Sequence, residues 1–105
     1  MTTSITDTLI KPKIEPRLDV KEPSLFKVIY INDETTTSEF VIESLITIFN
    51  LSRDAAELVT QKVHEDGSGV AAVLPYELAE QKGIEVTILA RSNGFPLQIK
   101  LETDQ

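Results

Sequence analysis

The chain has 105 residues, 41% of them hydrophobic, with 17 acidic against 10 basic side chains and a formal net charge of −7. That length suits one small domain with a single core plus a tail, and the negative balance repels phosphate backbones and anionic lipids, so neither nucleic acid nor a membrane surface is an expected partner. With no cysteine and a single histidine, the chain offers no disulfide scaffold, no thiolate metal site and no cysteine nucleophile.

Residues 1–23 mix Thr, Ser, charge and scattered aliphatics with Pro12, Pro16 and Pro23, and hold no sustained period of 2 or 3.6. A flexible N-terminal extension is predicted there, ahead of one domain over residues 24–105. Met1–Lys13 lacks an apolar core of signal-peptide length, and the apolar runs are too short to span a bilayer. The expected location is the cytoplasm, or its plastid equivalent, the stroma.

From Leu25 the texture becomes Leu-Phe-Lys-Val-Ile-Tyr-Ile, a β-branched and aromatic run of strand length that should end at the turn pair Asn32-Asp33. Thr36-x-x-Glu39 reads as a capping box opening a helix with Val41, Leu45, Ile48 and Phe49 inward and Asn50 as its stop. Ser52 can cap a second helix from Arg53 to about Glu65, with Ala55, Leu58, Val59 and Val63 as its apolar stripe, broken at Asp66-Gly67. Gly69–Leu74 is short, apolar and bounded by Gly and Pro, which favours a buried strand. Pro75 then starts a third helix over Tyr76–Arg91, with Leu78, Ala79, Val86, Leu89 and Ala90 inward, Gly83 as a weak point and Asn93-Gly94 as its end. Leu97-x-Ile99-x-Leu101 alternates as a last strand. The order β-α-α-β-α-β predicts an α/β (α+β) sandwich, three helices on a small three-stranded sheet.

Enzyme machinery is sparse: there is no G-x-S-x-G elbow, no phosphate-binding loop and no dinucleotide fingerprint, and no cofactor is expected. His64 is alone as a soft ligand, with Glu65 and Asp66 expected to face solvent at a helix end, so no metal site is expected either. Asn32, Asp33 and Glu34 leave the first strand in a row, and His64 lies near the end of the second helix. Brought together, they would form an acceptor-rich corner for an ammonium group with three donors. Two other readings stay open on residues alone. Asn32-Asp33 can be a plain turn and His64 a partner for a helix dipole, or His64 can be a general base oriented by Asp33 or Glu34.

Phe26-Lys27-Val28-Ile29-Tyr30-Ile31-Asn32-Asp33-Glu34-Thr35-Thr36, continued by Glu39-Phe40-Val41-Ile42, resembles the signature strand and turn of the ClpS adaptors. Val63-His64 with Gly67, Ala79-Glu80-Gln81-Lys82, and Phe95-Pro96-Leu97 with Leu101-Glu102 follow in the family's order, so the resemblance covers about residues 23–102. It implies a non-enzymatic, monomeric adaptor. Such an adaptor binds the free α-amino group and bulky hydrophobic N-terminal residue of N-degron proteins and delivers them to a ClpA or ClpC unfoldase for degradation by ClpP.

By the same resemblance Asn32, Glu34 and His64 would bind the α-amino group, with Asp33 shaping or charging the turn. Tyr30, Ile31, Thr36, Ser38, Val41, Thr60, Val63 and Leu97 would form the side-chain pocket. Glu77 and Lys82 would dock the unfoldase, and the N-terminal extension would serve the handover. Two departures bear on the pocket: family members often carry methionines where this chain has Ser38 and Thr60, and a smaller aliphatic in place of Tyr30. An acidic interaction module resembling the C-terminal domain of the ribosomal stalk, and an unfoldase regulator that carries no cargo, are the alternatives.

Overall fold

In the computed structural model, which describes residues 24–105, the elements follow the order β1 (Leu25–Ile31), α1 (Ser38–Phe49), α2 (Arg53–Asp66), β2 (Ser68–Pro75), α3 (Tyr76–Ser92) and β3 (Gln98–Thr103). The extension expected over 1–23 lies outside the described residues. The three strands form one sheet of order β2-β1-β3, antiparallel on both sides of β1. The most apolar strand therefore occupies the centre, where its whole ladder is paired.

Alternation along β1 sends Val28 and Tyr30, both fully buried, toward the helices, opposite Leu101 and Ile99 of β3. The pairing with β2 slips between Val28 and Ile29, where Ala71 is the extra residue of a bulge. Ala71 is thereby turned into the core cluster with Tyr30, Val41, Leu45, Ala56, Val63, Val86, Ala90 and Leu97.

The helix ends are set by local chemistry. Thr37, not Thr36, caps α1: its hydroxyl accepts the Phe40 N–H at 3.1 Å, because Thr36 is already bound to Asp33. Asn50 closes α1 in the left-handed conformation, at φ 59°. Ser52 caps α2 through the Ala55 N–H, and Gly67 ends it at φ 89°.

The buried faces of α2 and α3 keep Val63, Ala79, Val86 and Ala90 of the apolar stripes read from sequence and differ in the rest. On α2 the inward residues are Ala56, Thr60 and Val63, while Leu58 is 69% exposed. On α3 they are Ala79, Gly83, Val86 and Ala90, with Leu78 and Leu89 outside. Small side chains win these positions because the helices lie close to the sheet and to each other, and a leucine would hold them apart. Gly83 is part of that contact: a Cβ there would sit 3.4 Å from Ile99 Cγ2.

Candidate functional site

A cavity of about 330 Å³ opens where the end of β1, the start of α1 and the end of α2 meet, lined by Asn32, Asp33, Glu34, Thr36, Ser38, Val41, Thr60, Val63 and His64. Backbone bonds bring these separate segments together. The Asn32 N–H donates to Gly67 O at 2.9 Å, and the Gly67 N–H donates to Val63 O at 3.0 Å. The strand exit carrying Asn32 is thus fastened to the helix end carrying His64. Gly67 can do this because it holds a left-handed conformation that side chains rarely adopt.

Asp33 organises the loop between β1 and α1. Its Oδ1 accepts the N–H of Thr35 at 2.8 Å and of Thr36 at 2.7 Å, and its Oδ2 accepts the Thr36 hydroxyl at 2.7 Å. Desolvation acts to raise the Asp33 pKa, but these bonds from Thr36 and Thr35, helped by the charge of Arg91, outweigh it and hold the carboxyl below its usual range. With its lone pairs largely committed to the loop, Asp33 shapes the rim, and Asn32, Glu34 and His64 stand exposed beside it. An amide, a carboxylate and an imidazole together offer acceptors to a cationic amine.

Deeper in, the wall is mixed. Val41 and Val63 supply apolar surface, each at most 5% exposed. Thr60 is buried and turns its hydroxyl onto Ala56 O at 2.8 Å, so toward the cavity its polarity is largely spent within α2. Ser38 opens α1 at the exposed lip.

The structure brings Thr36, Ser38, Val41, Thr60 and Val63 of the expected pocket to one wall, together with all four expected amine-binding residues. It does not bring Tyr30, Ile31 or Leu97 there. Tyr30 is fully buried behind the wall, its ring edge-on to Phe49 at 6.2 Å and its hydroxyl 2.7 Å from Ser44 Oγ. Leu97 sits in the same core, held by Arg91, which donates to the carbonyls of Leu97 and Phe95. Ile31 follows Tyr30 in the strand, so alternation directs it to the opposite face of the sheet. Ser44 belongs to no motif of the sequence, and a serine beside the apolar 41-45-48 stripe of α1 is the one visible signal of a buried polar partner.

Glu77 lies at the other end of the sheet, where it lines a second hollow with Ser24, Phe26, Pro75 and Tyr76. Six strand steps along β1 separate Leu25, paired with Pro75, from Ile31, a span of about 20 Å. Lys82 is half-buried further along α3. Five residues apart on a helix, the two project about 140° from one another, toward well-separated sides of α3 and not in one stripe.

Residues 21–100 match the sequence profile of the family described as "ATP-dependent Clp protease adaptor protein ClpS". The ATP-dependent Clp protease adapter protein ClpS of Wolinella succinogenes is 44% identical over 90 residues, 86% of this chain and 88% of its own. ATP-dependent Clp protease adapter protein ClpS 2 of Agrobacterium fabrum is 37% identical over 105 residues, 100% of each chain. The structure of Agrobacterium tumefaciens ClpS2 bound to L-phenylalaninamide matches the fold at a TM-score of 0.76 and 37% identity, over 79% of this chain and 100% of that one. That profile takes in the resembling segments from Phe26 to Leu97, with Leu101-Glu102 just past its end, and the chain belongs to the ClpS family of Clp protease adaptor proteins.

Proposed function

We propose that this protein is an adaptor that takes hold of the N-terminal residue of N-degron proteins and delivers them to a ClpA- or ClpC-type AAA+ unfoldase. One observation carries the reading: an acceptor-bearing rim of Asn32, Glu34 and His64 continues into a cavity walled by Val41 and Val63. A free α-amino group needs acceptors, and a bulky apolar side chain on the same carbon needs a dry wall a few ångströms away. The relative from A. tumefaciens is bound to L-phenylalaninamide, a ligand with both features. In this reading the chain binds cargo without reacting with it, in keeping with relatives named as adaptor proteins, and acceptor geometry suffices to hold an ammonium.

In this reading His64 accepts from the amine and therefore acts as neutral imidazole. Glu77 and Lys82 on α3 contact the unfoldase. Because Glu77 is about 20 Å from the rim by strand length, cargo and unfoldase are held at the same time by a single copy of the chain. The test is fluorescence anisotropy with matched peptides beginning in Leu, Phe, Tyr, Trp, Ile, Val or Ala, each with a free and an acetylated N-terminus. Binding of bulky free N-termini that acetylation abolishes is expected. Equal binding of acetylated peptides, or none at all, would remove the proposal.

A further inference from the structure

The two fully buried polar groups at the back of the cavity form a chain that the cargo-binding residues themselves do not require. Ser44 donates its single hydroxyl proton to Val41 O at 2.9 Å, which leaves Ser44 Oγ as the acceptor for the Tyr30 phenol at 2.7 Å. Both side chains are 0% exposed, so neither hydroxyl has water to fall back on. Burial also pushes the Tyr30 phenol pKa upward, against a smaller opposing effect of Ser44, so the phenol keeps its proton and remains the donor.

The position of this chain gives it its consequence. Tyr30 stands two residues before Asn32 on β1, and Val41 is the apolar wall contributed by α1. At the other side of the cavity, the Asn32 N–H bond to Gly67 O ties the same strand exit to α2. The rim is thus held to α2 through the backbone, and the wall on α1 is held to β1 through two hydroxyls. An apolar contact in the place of the hydroxyl pair is non-directional and lets a helix slide on a sheet by fractions of an ångström, whereas the Tyr30–Ser44 bond, with Ser44 oriented by its bond to Val41 O within α1, favours one spacing.

We propose that Tyr30 and Ser44 are positioning residues for side-chain selection: their buried hydroxyl pair sets the distance from the amine-binding rim to the Val41 wall. They touch no cargo, and they act on which N-terminal residue fits. This rests on the adaptor reading and adds to it the source of its selectivity.

The test uses three variants of the full chain, Y30F, S44A and Y30F/S44A, in melting and in anisotropy with free-N-terminus Leu, Phe and Trp peptides. Y30F leaves Ser44 bonded to Val41, and the double variant leaves no phenol without a partner, so both should melt near the parent. S44A strands the Tyr30 phenol and should melt lower. The expected result is that Y30F and the double variant keep their discrimination against acetylated peptides but shift the Leu:Phe:Trp affinity ratios by threefold or more. Ratios within twofold of the parent in every variant would overturn the positioning role while leaving the adaptor reading intact. A parent chain that fails to prefer free N-termini would overturn both.

Discussion

Replacing Gly69 by alanine should damage stability and the cavity together. Gly69 lies in β2 opposite Tyr30, and a Cβ built there meets Val63 Cγ2 at 2.9 Å and the Val59 carbonyl oxygen at 3.2 Å. Valine is stiff about χ1, and the backbone atoms Val59 O and Val63 N crowd the same methyl at 3.2 and 3.4 Å, so turning the Val63 side chain alone does not clear the contact. The helix must therefore move off the sheet. Inserting a methyl into so close a contact costs about 1–3 kcal/mol, and each kcal/mol lowers Tm by roughly 4–8 °C in a domain of this size. Melting followed by circular dichroism should show a drop of about 4–24 °C. Because Val63 is a cavity wall and His64 is its neighbour in α2, peptide affinity should fall as well. Adding Val63→Ala removes the closer contact and should recover part of the Tm while leaving the pocket enlarged. A Gly69→Ala chain that melts within about 2 °C of the parent and binds equally well would refute the close-approach argument.

Thr37→Ala should cost about 1 kcal/mol in urea unfolding through loss of the α1 cap, and unchanged stability would contradict the cap assignment. Asp33→Ala removes the three bonds that organise the rim and should weaken binding of free N-termini more than it lowers Tm. The Asp33 carboxyl of the folded chain is held below the ordinary value of about 3.9, so its contribution to stability is present above that pH and is lost as pH falls through the lower folded value. A carboxyl NMR titration midpoint above about 3.9 would contradict this. Gly83→Ala should stabilise α3 by up to about 1 kcal/mol, since the new methyl meets Ile99 at ordinary contact distance, and a lowered Tm would show that β3 cannot give way. Glu77→Ala with Lys82→Ala should reduce degradation of a Phe-initiated substrate in a reconstituted unfoldase–protease assay without changing peptide affinity, and unaltered degradation would remove them from the docking surface.

Much of this was legible in the residues. Element order followed from the β-branched run at Leu25–Ile31, the caps at Ser52 and Asn50, and the stop at Gly67, all of which are local signals. The inward face of α1 was legible in Val41, Leu45, Ile48 and Phe49, but those of α2 and α3 were less so. Leu58, Leu78 and Leu89 have the right spacing and the wrong size, because Ala56, Ala79, Gly83 and Ala90 decide how closely the layers approach. Spacing reports periodicity, and close packing is a property of partners that sequence does not pair.

The rim was readable as a cluster of acceptors, yet only the bond from Asn32 to Gly67 O explains how His64 comes to join it. Tyr30 is the instructive residue. The family resemblance puts it in the pocket, but its phenol needs a buried partner, and Ser44, fourteen residues away, supplies it behind the wall. Strand and helix order alone also left a stalk-like module open, which the family match over residues 21–100 sets aside.

The most direct measurement is a titration of the ¹⁵N-labelled chain with L-phenylalaninamide, run beside N-acetyl-L-phenylalaninamide and followed by the amide and imidazole resonances. The account predicts saturable shifts centred on Asn32, Glu34, Val41, Val63 and His64 with the free amine, little response in α3, and none of these shifts with the acetylated compound. Shifts centred on α3 or the open face of the sheet, or an equal response to both compounds, would contradict it.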